Sequence, residues 1–296
     1  MAAAHSSGLK VGLIIPVFNV EKTIAKVLAG IPQKFFEDIS EILVVDNHSS
    51  DNTVPVIMGF MNEHPDFASH VTFIQHAENY GYGGSIKAGF EYFINRGMTH
   101  AMIFHGDHQV DPAWQIGLLL SIIKDKPQTD LVMSSRFLSE SKIENYSLLR
   151  TVGNYFFNAV TTLCSGCKMS DAGTAIIVAR CDALSRVPFR NLSNTWQFHP
   201  QLNILIHKLP NVQVVETTLN WSDSEAGSSV PLIRYGLILL RMLVRYWYKT
   251  NVLRQKPEQA FPVDSVRADR RYTVLMQSGK DAPVACGEAV GLSAAR

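Results

Sequence analysis

Residues 104–112 read FHGDHQVDP; they close an apolar run, AMIF (101–104), and turn polar at His105. Asp107 lies among His105, His108 and Gln109, side chains whose oxygen and nitrogen atoms suit a cation or a phosphate-bearing ligand. Taken alone, such a cluster reads as a polar loop at least as readily as a binding site. Its place relative to the rest of the chain decides between them.

Upstream and downstream, short β-rich runs alternate with helix-like segments. VGLIIPVF from Val11, EILVVD ending at Asp46, VTFIQ from Val71, HAMIFH ending at His105 and DLVMSSRF from Asp130 read as strands. Their nearly unbroken Val, Ile and Leu content suits strands covered on both faces. EKTIAKVLAG, SSDNTVPVIMGF, GGSIKAGFEYFINRG and PAWQIGLLLSIIKD have helical periodicity, with Gly30 and Gly97 at expected stops and Pro112 at a start. The expected fold class is α/β, a Rossmann-like, mostly parallel sheet with helices on both faces. In such a sheet ligands bind beyond the carboxyl ends of the strands. PVFN, DNHSSDNT, ENYGYGG and HGDHQ all fall at those ends.

The 296 residues, 46% hydrophobic and 18% charged, suffice for a large core. A net charge of +1 argues against nucleic acid as a partner of the whole surface. Four cysteines without regular spacing, and no apolar leader after MAAAHSSGLK, point to a reducing, cytoplasmic setting. The lone Cys164-Ser-Gly-Cys167 has no second pair to complete a zinc site and reads as two small residues near a helix end. After Arg150 the alternation gives way to an α+β region with YFFNAVTTL, GTAIIVAR, HPQLNILIHKL and VQVVETTLNW. The expected division is a flexible 1–10, a main domain 11–229 made of the alternating part (11–137) and the α+β part (138–229), a basic amphipathic helix 230–254, and a poorly ordered tail 255–296.

Laid out this way, Val11 to Trp247 resembles the family 2 glycosyltransferases of the GT-A fold, in particular the dolichyl- and polyprenyl-phosphate sugar synthase branch. The resemblance implies a nucleoside-diphosphate-sugar donor, a divalent metal (Mn2+ or Mg2+) and inverting transfer, with 11–229 as the catalytic domain, 11–137 its nucleotide-sugar half and 138–229 its acceptor half. Pro16, Asn19 and Glu21 match a PxxNE-like stretch with the acid displaced by one residue. Asp46 matches the Asp that meets the nucleotide base, and Asn47 replaces a second Asp. Asp51 with Thr53 reads as a cap for the next helix. Asn79, Gly81 and Gly84 match a glycine turn that lets backbone approach a nucleotide, and Lys87 lies one turn on, where it can meet a phosphate. FHGDHQVDP resembles DxDxQxxP, so Asp107 and Gln109 are implied metal ligands. His105 stands for the first Asp, and three readings stay open: metal ligand, phosphate donor, or strand-end residue bonded to backbone.

Leaving-group charge must be stabilised, and Arg136 in Ser135-Arg136 matches a phosphate-gripping element, with Arg150 as a second candidate. Asp171, Gly173 and Thr174 match part of the sugar and acceptor pocket. In WSDSEAGSS, Ser224 and Ser229 replace an Arg and a Lys of the branch. No acid stands in NTWQFHP (194–200), so either His199 is the general base for a hydroxyl acceptor or the acceptor is an ionised phosphate. Polyprenyl phosphate is the first acceptor and a glycan hydroxyl the second. Arg234, Arg241, Arg245 and Lys249 recur on one face of PLIRYGLILLRMLVRYWYK, which reads equally as a helix on an anionic membrane surface (231–249, the inner face) or one packed on the domain or in a dimer interface. The rival functions are a non-catalytic nucleotide-sugar-binding scaffold and a nucleotidyltransferase.

Overall fold

Strand β1 (Val11–Val17) is buried along its whole length and pairs in parallel with β2 (Ile39–Asp46) on one edge and β4 (His100–Ile103) on the other. Leu13 and Ile15 face one hydrophobic core and Ile14 the other, so the period-2 alternation of a strand sends apolar side chains to both faces. That is why VGLIIPV carries no polar alternation. In the computed structural model, residues 8–222, 232–264, 271–279 and 289–291 are described.

β2 pairs in parallel with β3 (Val71–His76). Beyond β4 the order continues through β7 (Ile177–Arg180), β5 (Leu131–Ser135) and β8 (Val214–Thr218), with β7 antiparallel to both neighbours and β8 parallel to β5. GTAIIVAR thus inserts between strands that are closer to each other in sequence. A small parallel pair, β6 (Ile143–Glu144) with β9 (Trp221–Ser222), lies apart from the main sheet.

One face of the sheet is covered by α1 (Ile24–Ala29), α2 (Thr53–Glu63) and α5 (Pro112–Asp125), which bury Ile24, Leu28, Ile57, Ile116 and Leu120. On the other face lie α4 (Tyr82–Asn95), α8 (Phe198–His207) and α9 (Leu232–Trp247), burying Phe90, Phe93, Phe198, Leu202 and Leu243. Asp111 caps α5, accepting from Trp114 N at 2.8 Å, ahead of Pro112 at the first helical position. α6 (Leu148–Ser165) ends on the left-handed Gly166, and Cys164 and Cys167 are buried free thiols beside that end, as the sequence suggests.

The described part of 255–296 does not fit a poorly ordered tail. β10 (Arg271–Met276) pairs antiparallel with β3 and in turn carries β11 (Ala289–Gly291). Ser278 N donates to Thr72 Oγ1 at 3.2 Å, and Ser278 Oγ to buried Glu41 at 3.3 Å. The physical reason is an edge: β3 would otherwise expose a row of unpaired backbone groups, and RYTVLM covers it. The averaged composition of a mixed, charged segment hid that short β-rich run.

Candidate active site

β1, β2, β3 and β4 are mutually parallel, so the loops leaving their carboxyl ends share one edge of the sheet. β1 has β2 on one side and β4 on the other, which makes their junction the point where strand order reverses and a crevice opens. The predicted nucleotide-side residues up to Gly84 lie at that edge, and Lys87 is turned toward the 192–194 loop.

The first two loops are knitted together. Pro16 is buried within β1. Asn19, at φ 54°, accepts from Ser50 N at 2.9 Å through Oδ1, while its own N donates to Ser49 Oγ at 2.9 Å. Glu21 Oε2 accepts from both Asn52 N and Asn52 Nδ2 at 3.0 Å. Asp51 Oδ1 accepts from Thr53 N at 3.0 Å, the predicted capping role. Asp46 is fully buried, accepting from Ser49 N at 3.1 Å and Gln75 Nε2 at 2.9 Å. Asn47 spans to the third loop: Nδ2 donates to Asn79 Oδ1 at 2.8 Å, and Oδ1 accepts from Tyr80 N at 2.9 Å. A carboxylate has no donor for the first of these bonds, which accounts for an amide at this position.

Asn79 Oδ1 also accepts from Gly81 N at 2.8 Å, closing the turn that starts α4. Gly81 has φ +77°, and a Cβ there would stand 2.3 Å from Asn194 O. A Cβ on Gly83 would stand 2.3 Å from Ser193 O. The close approach that the glycines permit is therefore to the 193–194 backbone; Gly84 is buried in the first turn of the same helix. Lys87 departs from its expected phosphate role. It is fully buried and donates to Leu192 O, to Asn194 Oδ1 at 2.8 Å and to Asp264 O at 3.1 Å. Its ammonium holds the 192–194 loop and residue 264 together.

β4 ends at Ile103, so His105, Asp107 and Gln109 lie on the loop that follows, all half-buried. Thr23 Oγ1 donates to Gly106 O at 2.8 Å, tying this loop to the start of α1. Asp107 Oδ1 faces Gln109 N at 3.4 Å, a long contact that leaves the carboxylate weakly engaged. His105 Nε2 lies 2.9 Å from Tyr82 Oη. Burial lowers the His105 pKa, opposed by the Asp107 charge and reinforced by Arg136. Among the described residues no three His, Cys, Asp or Glu converge to form a closed metal cage. One carboxylate with an amide neighbour fits instead a Mg2+ or Mn2+ ion that takes its remaining ligands from substrate phosphates and water.

Arg136 does not present an open fork. Nε donates to Asp171 Oδ2 at 2.8 Å and Nη2 to Asp171 Oδ1 at 2.9 Å, while Nη1 donates to Tyr146 Oη at 3.2 Å. Burial works against its charge, but Asp171 overrides this and raises its pKa. Asp171 is 1% exposed, so the Arg136 ion pair takes the place of the pocket contact expected of it. Thr174 is buried and donates its N to Asp171 O at 3.1 Å, and Gly173 passes 3.7 Å from Phe157 at its would-be Cβ. Arg150, near the start of α6, stacks over Tyr146 at 6.0 Å. Ser224 and Ser229 lie outside the described residues.

His199 is 1% exposed, with Nε2 2.8 Å from Tyr82 Oη and Nδ1 buried without a partner. Burial pushes its pKa well below the usual imidazole value, and His105 adds to this. Neither nitrogen is open to an acceptor hydroxyl. Sequence reasoning missed Tyr82, which joins both histidines and stacks on Trp196 with centroids 4.6 Å apart. The aromatic inside a glycine turn, NYGYGG, was the available signal.

Several imidazoles are folded in the neutral state. Burial lowers the pKa of His100 from 6.5 to about 4, with Arg180 adding to it, and burial also depresses His207. The His100 contribution to stability is full above the unfolded value near 6.5 and is lost as pH falls toward 4, because the unfolded chain takes up the proton. Urea denaturation is expected to show a loss from His100 alone of about 2 kcal/mol between pH 7.5 and 5. A flat profile over that range would contradict the neutral burial.

The crevice, sheet order and strand-end loops define a nucleotide-sugar transferase of the GT-A type. Residues 13–187 match Glycosyl transferase family 2, and the chain belongs to that family of enzymes. Over 172 residues it is 27% identical to UDP-N-acetylglucosamine–dolichyl-phosphate N-acetylglucosaminyltransferase of Methanococcus voltae, a match covering 55% of this chain and 66%, just under two thirds, of that protein. It is 23% identical over 249 residues to dolichyl-phosphate beta-glucosyltransferase of Dictyostelium discoideum, covering 79% of this chain and 74% of that one. Glucosyl-3-phosphoglycerate synthase of Mycobacterium tuberculosis, solved with Mn2+, UDP and glucosyl-3-phosphoglycerate, shares the fold at a TM-score of 0.55 and 14% identity, with 92% of this chain and 88% of that chain covered.

Proposed function

We propose that this enzyme is an inverting, metal-dependent glycosyltransferase that moves a sugar from a nucleoside-diphosphate sugar to a polyprenyl phosphate. The observation that carries the acceptor is the burial of His199 together with the surface formed by α6 and α9. A hydroxyl acceptor needs a base within reach, whereas a phosphate arrives ionised. The α6 helix exposes Leu148, Leu149, Val152, Tyr155 and Phe156, and α9 packs beside it. α9 buries Leu239, Met242, Leu243 and Tyr246 and turns Leu237, Ile238, Val244 and Trp247 outward among exposed Arg234, Arg241 and Arg245. The packed reading describes the buried face, and the outward face supports the membrane reading.

Neither helix contains an acidic residue, so cations and apolar side chains share the outward face, as suits an anionic lipid surface. Among the described residues no helix is long and apolar enough to cross a membrane. Tyr235, on α9, lies near Arg136 and Tyr82, so the helix also borders the site. The relatives named for dolichyl-phosphate acceptors support the same choice.

In the site, Asp107 with Gln109 would hold the divalent ion, which when bound supplies charge to the departing nucleoside diphosphate. The 46–53 and 79–84 loops form the donor side, and Asp46 orders its floor. The test is transfer of labelled sugar from a panel of nucleotide sugars, supplying polyprenyl phosphate or a free saccharide. Label in the lipid phosphate alone is expected; label in the saccharide alone would favour a glycan acceptor, and donor binding without transfer to either would favour a scaffold. Exchanging Arg241 and Arg245 for Glu is expected to lower co-sedimentation with anionic vesicles at least tenfold without lowering the melting temperature. Unchanged sedimentation would remove the membrane reading.

A further inference from the structure

The Tyr82 hydroxyl is shared by two imidazoles, 2.9 Å from His105 Nε2 and 2.8 Å from His199 Nε2. A phenol has one proton to donate and lone pairs that accept, so with both rings neutral the arrangement that leaves no hydroxyl proton unused is one O–H···N and one N–H···O contact. That arrangement puts the two histidines in opposite tautomers. Tyr82 has little freedom to escape this arrangement, since its ring stacks on Trp196 at an interplanar angle of 17° and stands edge-on to His105 at 86°.

Which ring donates follows from the far nitrogens. His199 Nδ1 is buried and has no partner. If His199 carried its proton there, an N–H would be orphaned in the interior, and buried orphaned N–H groups are rare in folded proteins. Placing the proton on Nε2 lets His199 donate to the Tyr82 oxygen. Tyr82 then donates to His105 Nε2, and the His105 proton resides on Nδ1. That nitrogen is the far end of the relay.

We propose that Tyr82 is a positioning residue that fixes His105 as an Nδ1–H donor, suited to a diphosphate oxygen of the donor, rather than as a metal ligand. This rests on the nucleotide-sugar reading of the site and narrows it. His105 replaces a carboxylate with a neutral donor, the divalent ion is left to Asp107 and Gln109, and no imidazole nitrogen biases the site toward Mn2+.

Long-range 15N–1H correlation spectra of the ligand-free protein test the tautomers directly. His105 is expected as the Nδ1–H form and His199 as the Nε2–H form, and Tyr82→Phe, which keeps the stack on Trp196, is expected to shift His105 toward a mixture. His105 observed as Nε2–H in the unaltered protein, or no change in Tyr82→Phe, would overturn the proposal. Pulsed EPR of Mn2+ added with UDP supplies a second readout. Bound Mn2+ without directly ligated nitrogen is expected, and a ligated imidazole nitrogen would overturn the proposal even though the metal-dependent reading stood. If no Mn2+ binds in the presence of UDP, the metal-dependent reading fails, and the NMR tautomers alone then decide the role of Tyr82. With Tyr82→Phe the KM for the donor is expected to rise about tenfold, with kcat within about threefold, and Tyr82→Phe kinetics identical to the unaltered enzyme would count against a positioning role.

Discussion

Replacing Asp107 by Asn is expected to lower sugar transfer roughly 10^2- to 10^3-fold, the scale on which one electrostatic contact to a developing charge acts. The melting temperature is expected to stay within about 2 °C, because the carboxylate is half-buried and its close protein contact is a 3.4 Å approach from Gln109 N. Asn keeps the shape and loses the charge, so the change isolates the cation-holding role. Initial rates at saturating donor, with Mg2+ and Mn2+ titrated separately, distinguish lost affinity for the ion from lost turnover. A variant that transfers sugar at the original rate would remove Asp107 from the centre of the site.

Lys87→Ala is expected to have the largest effect on stability, about 3 kcal/mol or more. Three oxygens, Leu192 O, Asn194 Oδ1 and Asp264 O, converge on the buried ammonium, and each buried acceptor stripped of its donor costs about 1–3 kcal/mol. The vacated side-chain volume adds a cavity term. Denaturant unfolding should show the loss, with a melting temperature lower by roughly 6–10 °C. The effect should reach the donor side as well, since the 192–194 loop that Lys87 anchors packs against Gly81 and Gly83. Lys87→Arg is too large for the enclosed site and is not expected to rescue. A Lys87→Ala protein that unfolds at the original midpoint would show that the buried bonds contribute nothing net.

Strand positions, the mostly parallel arrangement and the placing of every polar cluster at one sheet edge were legible in the sequence, because burial on both faces leaves a continuous apolar signal. Loop membership was legible too, and contact was not. Lys87, Arg136 and Asp171 carry the charges a phosphate site requires, and the chain folds so that those charges meet carbonyls or one another. Sequence spacing cannot distinguish a cation aimed at substrate from one aimed at a backbone 105 residues away. Asp264 and β10 were hidden for the same reason, since β10 pairs with β3 in the first third of the chain and Asp264 meets Lys87 there as well as Asn191 and Asn194. Tyr82 was overlooked because a tyrosine in a glycine turn has no charge to attract notice.

The covering of β3 by β10 also sets an order of events during synthesis. β3 is complete at His76 and its antiparallel partner begins at Arg271, so the ribosome adds nearly 200 residues before the edge can be paired. Throughout that interval the nascent sheet exposes a parallel strand edge, the kind of surface on which chains cross-associate. Yield from expression should therefore respond to translation speed and to chaperones that shield strand edges, even where the finished enzyme is stable.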